Sequence, residues 1–269
     1  MRTMRKFFGF FAAVTLLAVG PASAITNGEL DGDAHPHVGL MVFDAGGGPS
    51  HRCTGTLIHP QVMLTAGHCT VGTSGGRVWF ESDDEAGIRA GGYPFGGPTA
   101  IEFIFIATHP EFDPGAFFTH DLGIAVLAAP VVLSEYGVLP ALNELDQLAT
   151  RRGRQDQTFT AVGYGLQQIT SNPMFAVRLT SELRRYSATP RLIQINTPGF
   201  TGDFSILLSN NHSTGGTCFG DSGGPNFIGD TNVIGGVTSF GLNGNCAGTG
   251  GVYRVDTADD LMWLASFGL

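Results

Sequence analysis

Short apolar runs, bounded by glycine, proline or small polar residues, recur along nearly the whole chain. Runs of this length are too short for buried helices and read as β-strands. They predict strands over Val38–Phe43, His51–Ile58, Val62–Thr65, Arg77–Phe80, Ile101–Thr108 and Leu122–Leu127, with Gly46-Gly47-Gly48-Pro49 breaking the first from the second. A second series covers Phe159–Gly165, Leu192–Asn196, Ile206–Ser209, Pro225–Ile228, Val233–Phe240 and Val252–Val255. Helical periodicity is confined to the end of the chain, from about Thr257 to Phe267, where Leu261, Leu264 and Ala265 share one face. Between the two series lies a polar stretch, Ser134–Gln157, with Arg151, Arg152 and Arg154. Its Leu139, Leu142, Leu145 and Leu148 are spaced for a helical turn or two, but the segment reads as a surface linker. Regular short strands separated by turn signals suggest a closed all-β barrel.

Length and composition agree with that pattern. The 269 residues suffice for one large all-β domain or two small ones, glycine is abundant at 40 residues, and charged residues make up only 14%. Arg2, Arg5 and Lys6 open the chain, an apolar run from Phe7 to Val19 follows, and Pro21-Ala22-Ser23-Ala24 ends in an A-x-A site. This is the build of a secretory signal peptide, too short to span a membrane, so residues 1–24 are expected to be removed and the mature chain to begin at Ile25. Loss of the three basic leader residues takes the formal charge from −9 to −12. An acidic, secreted protein has no electrostatic reason to bind nucleic acid or anionic membranes. Its four cysteines should pair, and the count alone allows three connectivities.

Candidate chemistry centres on Gly220-Asp221-Ser222-Gly223-Gly224-Pro225. A serine hydroxyl is a weak nucleophile that needs an adjacent base, and an attacked carbonyl needs fixed donors for its developing charge. Glycines around Ser222 allow a tight turn in which the amides of Gly220 and Ser222 converge as an oxyanion hole. Upstream stand Thr65-Ala66-Gly67-His68-Cys69 and Asp121-Leu122-Gly123-Ile124-Ala125-Val126-Leu127, which offer a base and an orienting carboxylate. The G-x-S-x-G pattern also fits the nucleophile elbow of α/β-hydrolases, in which the histidine follows the serine. All eight histidines precede Ser222, the last being His212, so that triad cannot be completed.

The three stretches, in this order, resemble the signatures of the trypsin/chymotrypsin-like serine proteases. Cys53-Thr54-Gly55-Thr56-Leu57-Ile58, Phe159-Thr160-Ala161-Val162-Gly163-Tyr164-Gly165 and the Ile25-Thr26-Asn27-Gly28 start resemble further family segments. Gly67 stands where the family usually has alanine, and Tyr164 and Phe240 where it usually has tryptophan. The resemblance implies two antiparallel six-stranded β-barrels with a short C-terminal helix. The first, 25–134, would carry His68 and Asp121, and the second, 135–269, Ser222. It implies a secreted monomeric endopeptidase without cofactor or metal, acting on protein or peptide substrates through His68, Asp121 and Ser222 and an acyl-enzyme. A protease fold kept only as a binding module is the alternative, weakened because all three triad positions are filled.

Further residues carry over in the same way. The family's pairs are Cys53 with Cys69 and Cys218 with Cys246, and an Ile25 ammonium would pair with Asp221 to shape the oxyanion hole. Ser239 matches the serine that supports the triad carboxylate. The side-chain pocket would have Gly216 as its floor, followed by Thr217, with Gly241 and Gly251 as walls. That uncharged, open pocket implies cleavage after large apolar residues. The acidic stretch Glu81–Glu85 falls near the family's calcium loop but reads rather as a solvated turn, and His35, His37, His51, His59, His109, His120 and His212 read as surface or turn residues without metal-ligand spacing.

Overall fold

The apolar run of the first predicted strand is continuous because both of its faces are covered. In the structure, a computed structural model that describes residues 25–149, 156–172 and 175–268, this strand spans Val38–Ala45. Met41 and Phe43 point into one core with Leu57, Met63 and Val78, while Leu40 and Val42 pack on the other side against Trp79, Ile88, Tyr164 and Leu183. The leader 1–24 and the linker residues Arg151, Arg152 and Arg154 lie outside the described residues.

After β1 (Glu29–Leu30), the strands β2 (Val38–Ala45), β3 (Gly48–His59), β4 (Val62–Thr65), β5 (Gly75–Trp79), β6 (Ile101–Thr108) and β7 (Gly123–Leu127) form an antiparallel barrel. They follow the cyclic order β2-β3-β4-β7-β6-β5. The β4–β7 register, with Thr65 opposite Gly123, matters for function. It brings the turn after β4, the short helix α1 (Gly67–Thr70), beside Asp121 and Leu122, which lead into β7.

The second half contains β8 (Phe159–Gly163), β9 (Gln168–Asn172), β10 (Phe175–Thr180), β11 (Tyr186–Ala188), β12 (Leu192–Thr197), β13 (Gly202–Asn210), β14 (Pro225–Ile228), β15 (Ile234–Gly241) and β16 (Gly248–Arg254). Strands β9 and β10 pair only with each other. The rest join β1 in one sheet ordered β1-β11-β8-β14-β15-β16-β13-β12. The expected second six-stranded barrel is therefore an eight-stranded sheet curled into a half-barrel. Its far edge returns to β8 through a single bridge, Thr158 to Arg191, flanked by Phe159 N donating to Pro190 O (2.8 Å) and Leu192 N to Gln157 O (2.9 Å). Pro190 has no N–H to give, and the chain leaves β8 there to follow β13.

Two local expectations change. The Ser134–Gln157 stretch is not a surface linker throughout: a 3₁₀ turn over Glu144–Leu148 buries Leu145 completely against Phe159, Ile206 and Val252. The amide of Leu145 donates to Asp256 Oδ2 (2.8 Å), which fixes the turn on the second sheet. The Glu81–Glu85 stretch is not a plain solvated turn either. Asp84 caps the helix α2 (Glu85–Ala90) by accepting from Gly87 N, Glu85 pairs with Arg89, and Asp83 pairs with Arg184. The C-terminal helix α3 runs Ala258–Ala265. No helix among the described residues is long and apolar enough to cross a membrane.

His37 and His109 are buried rather than superficial. His37 is 1% exposed, neither of its ring nitrogens has a hydrogen-bond partner, and burial followed by the charges of His35 and Arg185 holds its pKa down at about 4. The unfolded chain therefore takes up a proton first: the stabilisation is complete above about 6.5 and is lost as pH falls from there toward 4. Over that window the wild type is expected to lose about 3 kcal/mol more unfolding free energy than His37→Phe. Urea denaturation of both proteins at pH 7 and pH 4 checks this, and equal losses would refute it.

Candidate active site

Strand β4 ends at Thr65, and the chain turns at once into α1, which presents His68. The unusual Gly67 has a local reason: a Cβ there would sit 3.0 Å from the Leu122 carbonyl oxygen and 3.1 Å from the Phe112 ring. Asp121, fully buried, faces the turn. One of its oxygens accepts from His68 N (2.8 Å), the other lies 2.9 Å from His68 Nδ1, and Ser239 Oγ donates to it (2.6 Å). Because an ionised carboxylate only accepts, Nδ1 carries the ring proton and Nε2 keeps a lone pair. Ser239 reaches this place through a β-bulge. The β15–β16 register slips between Thr238 and Phe240, leaving Ser239 free to turn toward Asp121.

The Ser222 loop is held mainly through its backbone. Thr54 N donates to Ser222 O (2.8 Å), Thr54 Oγ1 to Gly220 O (2.9 Å), and Gly223 N to Thr238 O (2.8 Å). Gly220 (φ 98°) and Gly223 (φ 77°) occupy backbone conformations that suit glycine, and a Cβ on Gly223 would collide with Thr65 Oγ1. The amides of Asp221, Gly223 and Gly224 are all spent on carbonyls. Among the described residues, those of Gly220 and Ser222 make no hydrogen bond. Both disulfides expected from the resemblance are formed, Cys53–Cys69 beside the histidine and Cys218–Cys246 beside the serine.

His68 and Ser222 line one cavity of about 600 Å³. Thr217, Ser239 and Gly241 line it too, but Gly216 and Gly251 do not. Gly216 bridges to Thr26, and a Cβ on it would collide with the Asn210 carboxamide. Asn210 takes its place in the cavity wall, accepting from Thr26 Oγ1 (2.7 Å) and donating from Nδ2 to Thr217 O (2.7 Å). Gly251 is opposite Phe240 and covered by its ring, so the neighbouring Gly250 forms the wall. Sequence reasoning also missed an aromatic shelf at the mouth. Phe117 and Phe240 line the cavity, and Phe118 and Phe200 extend it, with ring centroids 5.5 to 6.3 Å apart. The adjacent pair Phe117-Phe118 was the signal available in the sequence.

Asp221 is buried, and its oxygens accept from Gly165 N (2.7 Å) and Cys218 N (2.8 Å). Burial nevertheless pushes its pKa up to about 7, against the two amides and the nearby Arg52 charge. Ile25 is buried with Ala161, Tyr186 and Ala188, and its nitrogen is the amide that follows Ala24. No ion pair joins the two among the described residues. They converge on one segment, since Ala161 lies on β8 and Asp221 abuts Gly163 and Gly165 of the same stretch. Behind Asp121, His109 and His120 stack at 4.9 Å near Asp260. His109 Nδ1 accepts from Glu111 N (3.3 Å), so its other nitrogen carries the proton toward Asp260, a polar contact and not a ligand lone pair.

The family model described as Trypsin matches residues 29–262. The chain is 28% identical over 202 residues to kallikrein-1E2 of Equus caballus, covering 73% of this chain and 72% of that protein. It is 28% identical over 204 residues to chymotrypsin-C of Bos taurus, covering 73% and 70%. Against serine protease Hayan of Drosophila melanogaster it is 24% identical over 89% of its own length but spans only 39% of that protein. A solved structure of HL collagenase superposes with a TM-score of 0.67 at 22% identity, over 91% of this chain and 99% of that one, a likeness of fold.

Proposed function

Because the chain belongs to the trypsin family of serine proteases, we propose that it is a secreted endopeptidase that works through Ser222, His68 and Asp121. The observation that carries this reading is the buried Asp121 orienting His68 at the rim of a cavity that also holds Ser222. His68 Nε2 takes the Ser222 proton as Oγ attacks the scissile carbonyl, and Asp121 stabilises the resulting imidazolium. The amides of Gly220 and Ser222, otherwise unengaged, receive the oxyanion. Collapse of the tetrahedral intermediate releases the amine half with a proton returned from His68 and leaves an acyl-enzyme, which water then hydrolyses by the same route. Stoichiometric burst release from an acylating p-nitrophenyl ester tests the reading. A folded, processed protein without a burst would instead be a binding module.

The residue before the cut enters a cavity whose base is the neutral Asn210 carboxamide and whose mouth is the phenylalanine shelf. Peptides with Phe, Tyr, Leu or Met at that position are expected to exceed Lys or Arg by about one to two orders of magnitude in kcat/KM, because the cavity offers a cation no counter-charge. Profiling cleavage sites in a denatured protein mixture checks this, and cleavage mainly after Arg would defeat it. Asn210→Asp, and not a change at Gly216, is the substitution expected to draw cations in.

A further inference from the structure

In a chain with 23 acidic and 14 basic residues, cations find partners easily. Arg77, Arg89, Arg184, Arg185 and Arg254 each lie within ion-pair distance of a carboxylate. Arg52 on β3 does not. It is half-buried, yet among the described residues its guanidinium makes neither a hydrogen bond nor an ion pair. Its charge is felt by the buried Asp221, but the oxygens of that carboxylate are already occupied by the Gly165 and Cys218 amides. The guanidinium lies against the nucleophile loop: a Cβ on Gly220 would be 2.9 Å from Nε and 3.4 Å from Nη2.

The location sets what it can meet. Arg52 is not part of the cavity that takes the side chain before the cut. It precedes Cys53, whose disulfide partner Cys69 adjoins His68 and places its Sγ 3.7 Å from Ser222 O. With the scissile carbonyl on the Gly220 and Ser222 amides and the preceding side chain in the cavity, the peptide beyond the cut must leave past the disulfide and Arg52. We propose that Arg52 is a specificity-determining residue that binds a carboxylate on the leaving-group side of the scissile bond, within the first two residues after the cut. The carboxylate is that of an Asp or Glu side chain or the free C-terminus of a short leaving peptide. An unpaired, part-desolvated guanidinium offers such a group two parallel donors. The proposal rests on the protease reading for the direction of the substrate.

The test compares peptides with one acyl half ending in Phe and Ala-Ala, Glu-Ala, Ala-Glu, Lys-Ala or Ala-Lys after the cut, C-terminally amidated, plus a free-acid Ala-Ala version. Binding is read by fluorescence anisotropy on three proteins that all carry Ser222→Ala: one keeps Arg52, one adds Arg52→Gln and one adds Arg52→Glu. Cleavage rates are read on the corresponding proteins that keep Ser222. With Arg52 present, an acidic peptide should bind about tenfold tighter than Ala-Ala, weakening in high salt. Arg52→Gln should bring the ratio near one and Arg52→Glu should invert it in favour of Lys. The amidated and free-acid arms tell a side-chain carboxylate from a terminal one. Equal ratios in all three proteins, or no acidic preference with Arg52 present, would overturn the assignment even if the enzyme titrates and cleaves normally. Charge-selective binding in a protein that shows no acylation burst would sink the protease reading and leave the Arg52 site standing.

Discussion

Ser222→Ala is expected to abolish almost all peptidase activity while leaving the protein as stable as before. The loop around Ser222 is held by backbone bonds to Thr54 and Thr238, so deleting the hydroxyl removes no bond that fixes the fold. What goes is the nucleophile, and only the roughly 10³ to 10⁴ over water that binding and the oxyanion donors supply should remain. His68→Ala should fall to about the same level, and the double variant little further, because the two side chains act as one unit. Asp121→Asn tests the geometry. A carboxamide can turn its NH₂ toward Nδ1, forcing the proton onto Nε2 and removing the base, with a loss on the order of 10⁴ in kcat. Turnover of a Phe-containing peptide, with thermal melting as the control on folding, checks all four variants. A folded Ser222→Ala protein that kept more than a few per cent of wild-type turnover would overthrow the assignment.

The second large effect is expected at Ile25, the proposed start of the mature chain. Cleavage after Ala24 would turn the Ile25 amide into an ammonium next to the segment that houses Asp221. In the uncut chain burial keeps the Asp221 pKa near 7. Its stabilising contribution is complete below the unfolded value of 3.8 and is lost as pH rises through 7. An adjacent ammonium reverses that loss by favouring the ionised carboxylate, and is itself raised above its usual 7.7 to 8.0. The pair would then hold the loop that carries Gly220 N. Protein with one extra residue before Ile25 is expected to lose on the order of 10² to 10³ in kcat, comparable to losing one oxyanion donor. Activity of the cut form should also fall reversibly in alkali as the ammonium deprotonates. N-terminal sequencing of secreted material and assay of the extended form decide the matter, and full activity with an extended or blocked terminus would refute the pairing.

The candidate constellation was legible in the chain because each of its parts is local. His68, Asp121 and Ser222 sit in short stretches: the glycines around Ser222 serve the tight turn, while Cys69 and the apolar strand after Asp121 are features of the family that the chain resembles. Most strand positions were legible for the same reason, since alternation and turn residues are properties of a few consecutive side chains, but β1, β9, β10 and β11 were not expected. The leucine-bearing stretch before β8 was not. Whether Leu145 faces solvent or core depends on Asp256, more than a hundred residues away.

The walls of the cavity depended on tertiary structure in the same way. A bulge at Ser239 shifts the β15–β16 register, so that Gly250 lines the cavity and Gly251 disappears under Phe240. Asn210 lines the cavity because β13 lies beside β16 and Thr26 bridges to Gly216. The phenylalanine shelf draws on residues from three separate segments, and the half-buried Arg52 stands apart only once the ion pairs of Arg77, Arg89, Arg184, Arg185 and Arg254 are seen. Sequence alone determined which groups could do chemistry, because backbone freedom, nucleophilicity and strand alternation are written residue by residue. Only the folded chain decided what surrounds them, because a one-residue slip between paired strands exchanges the faces of a sheet and no local pattern records it.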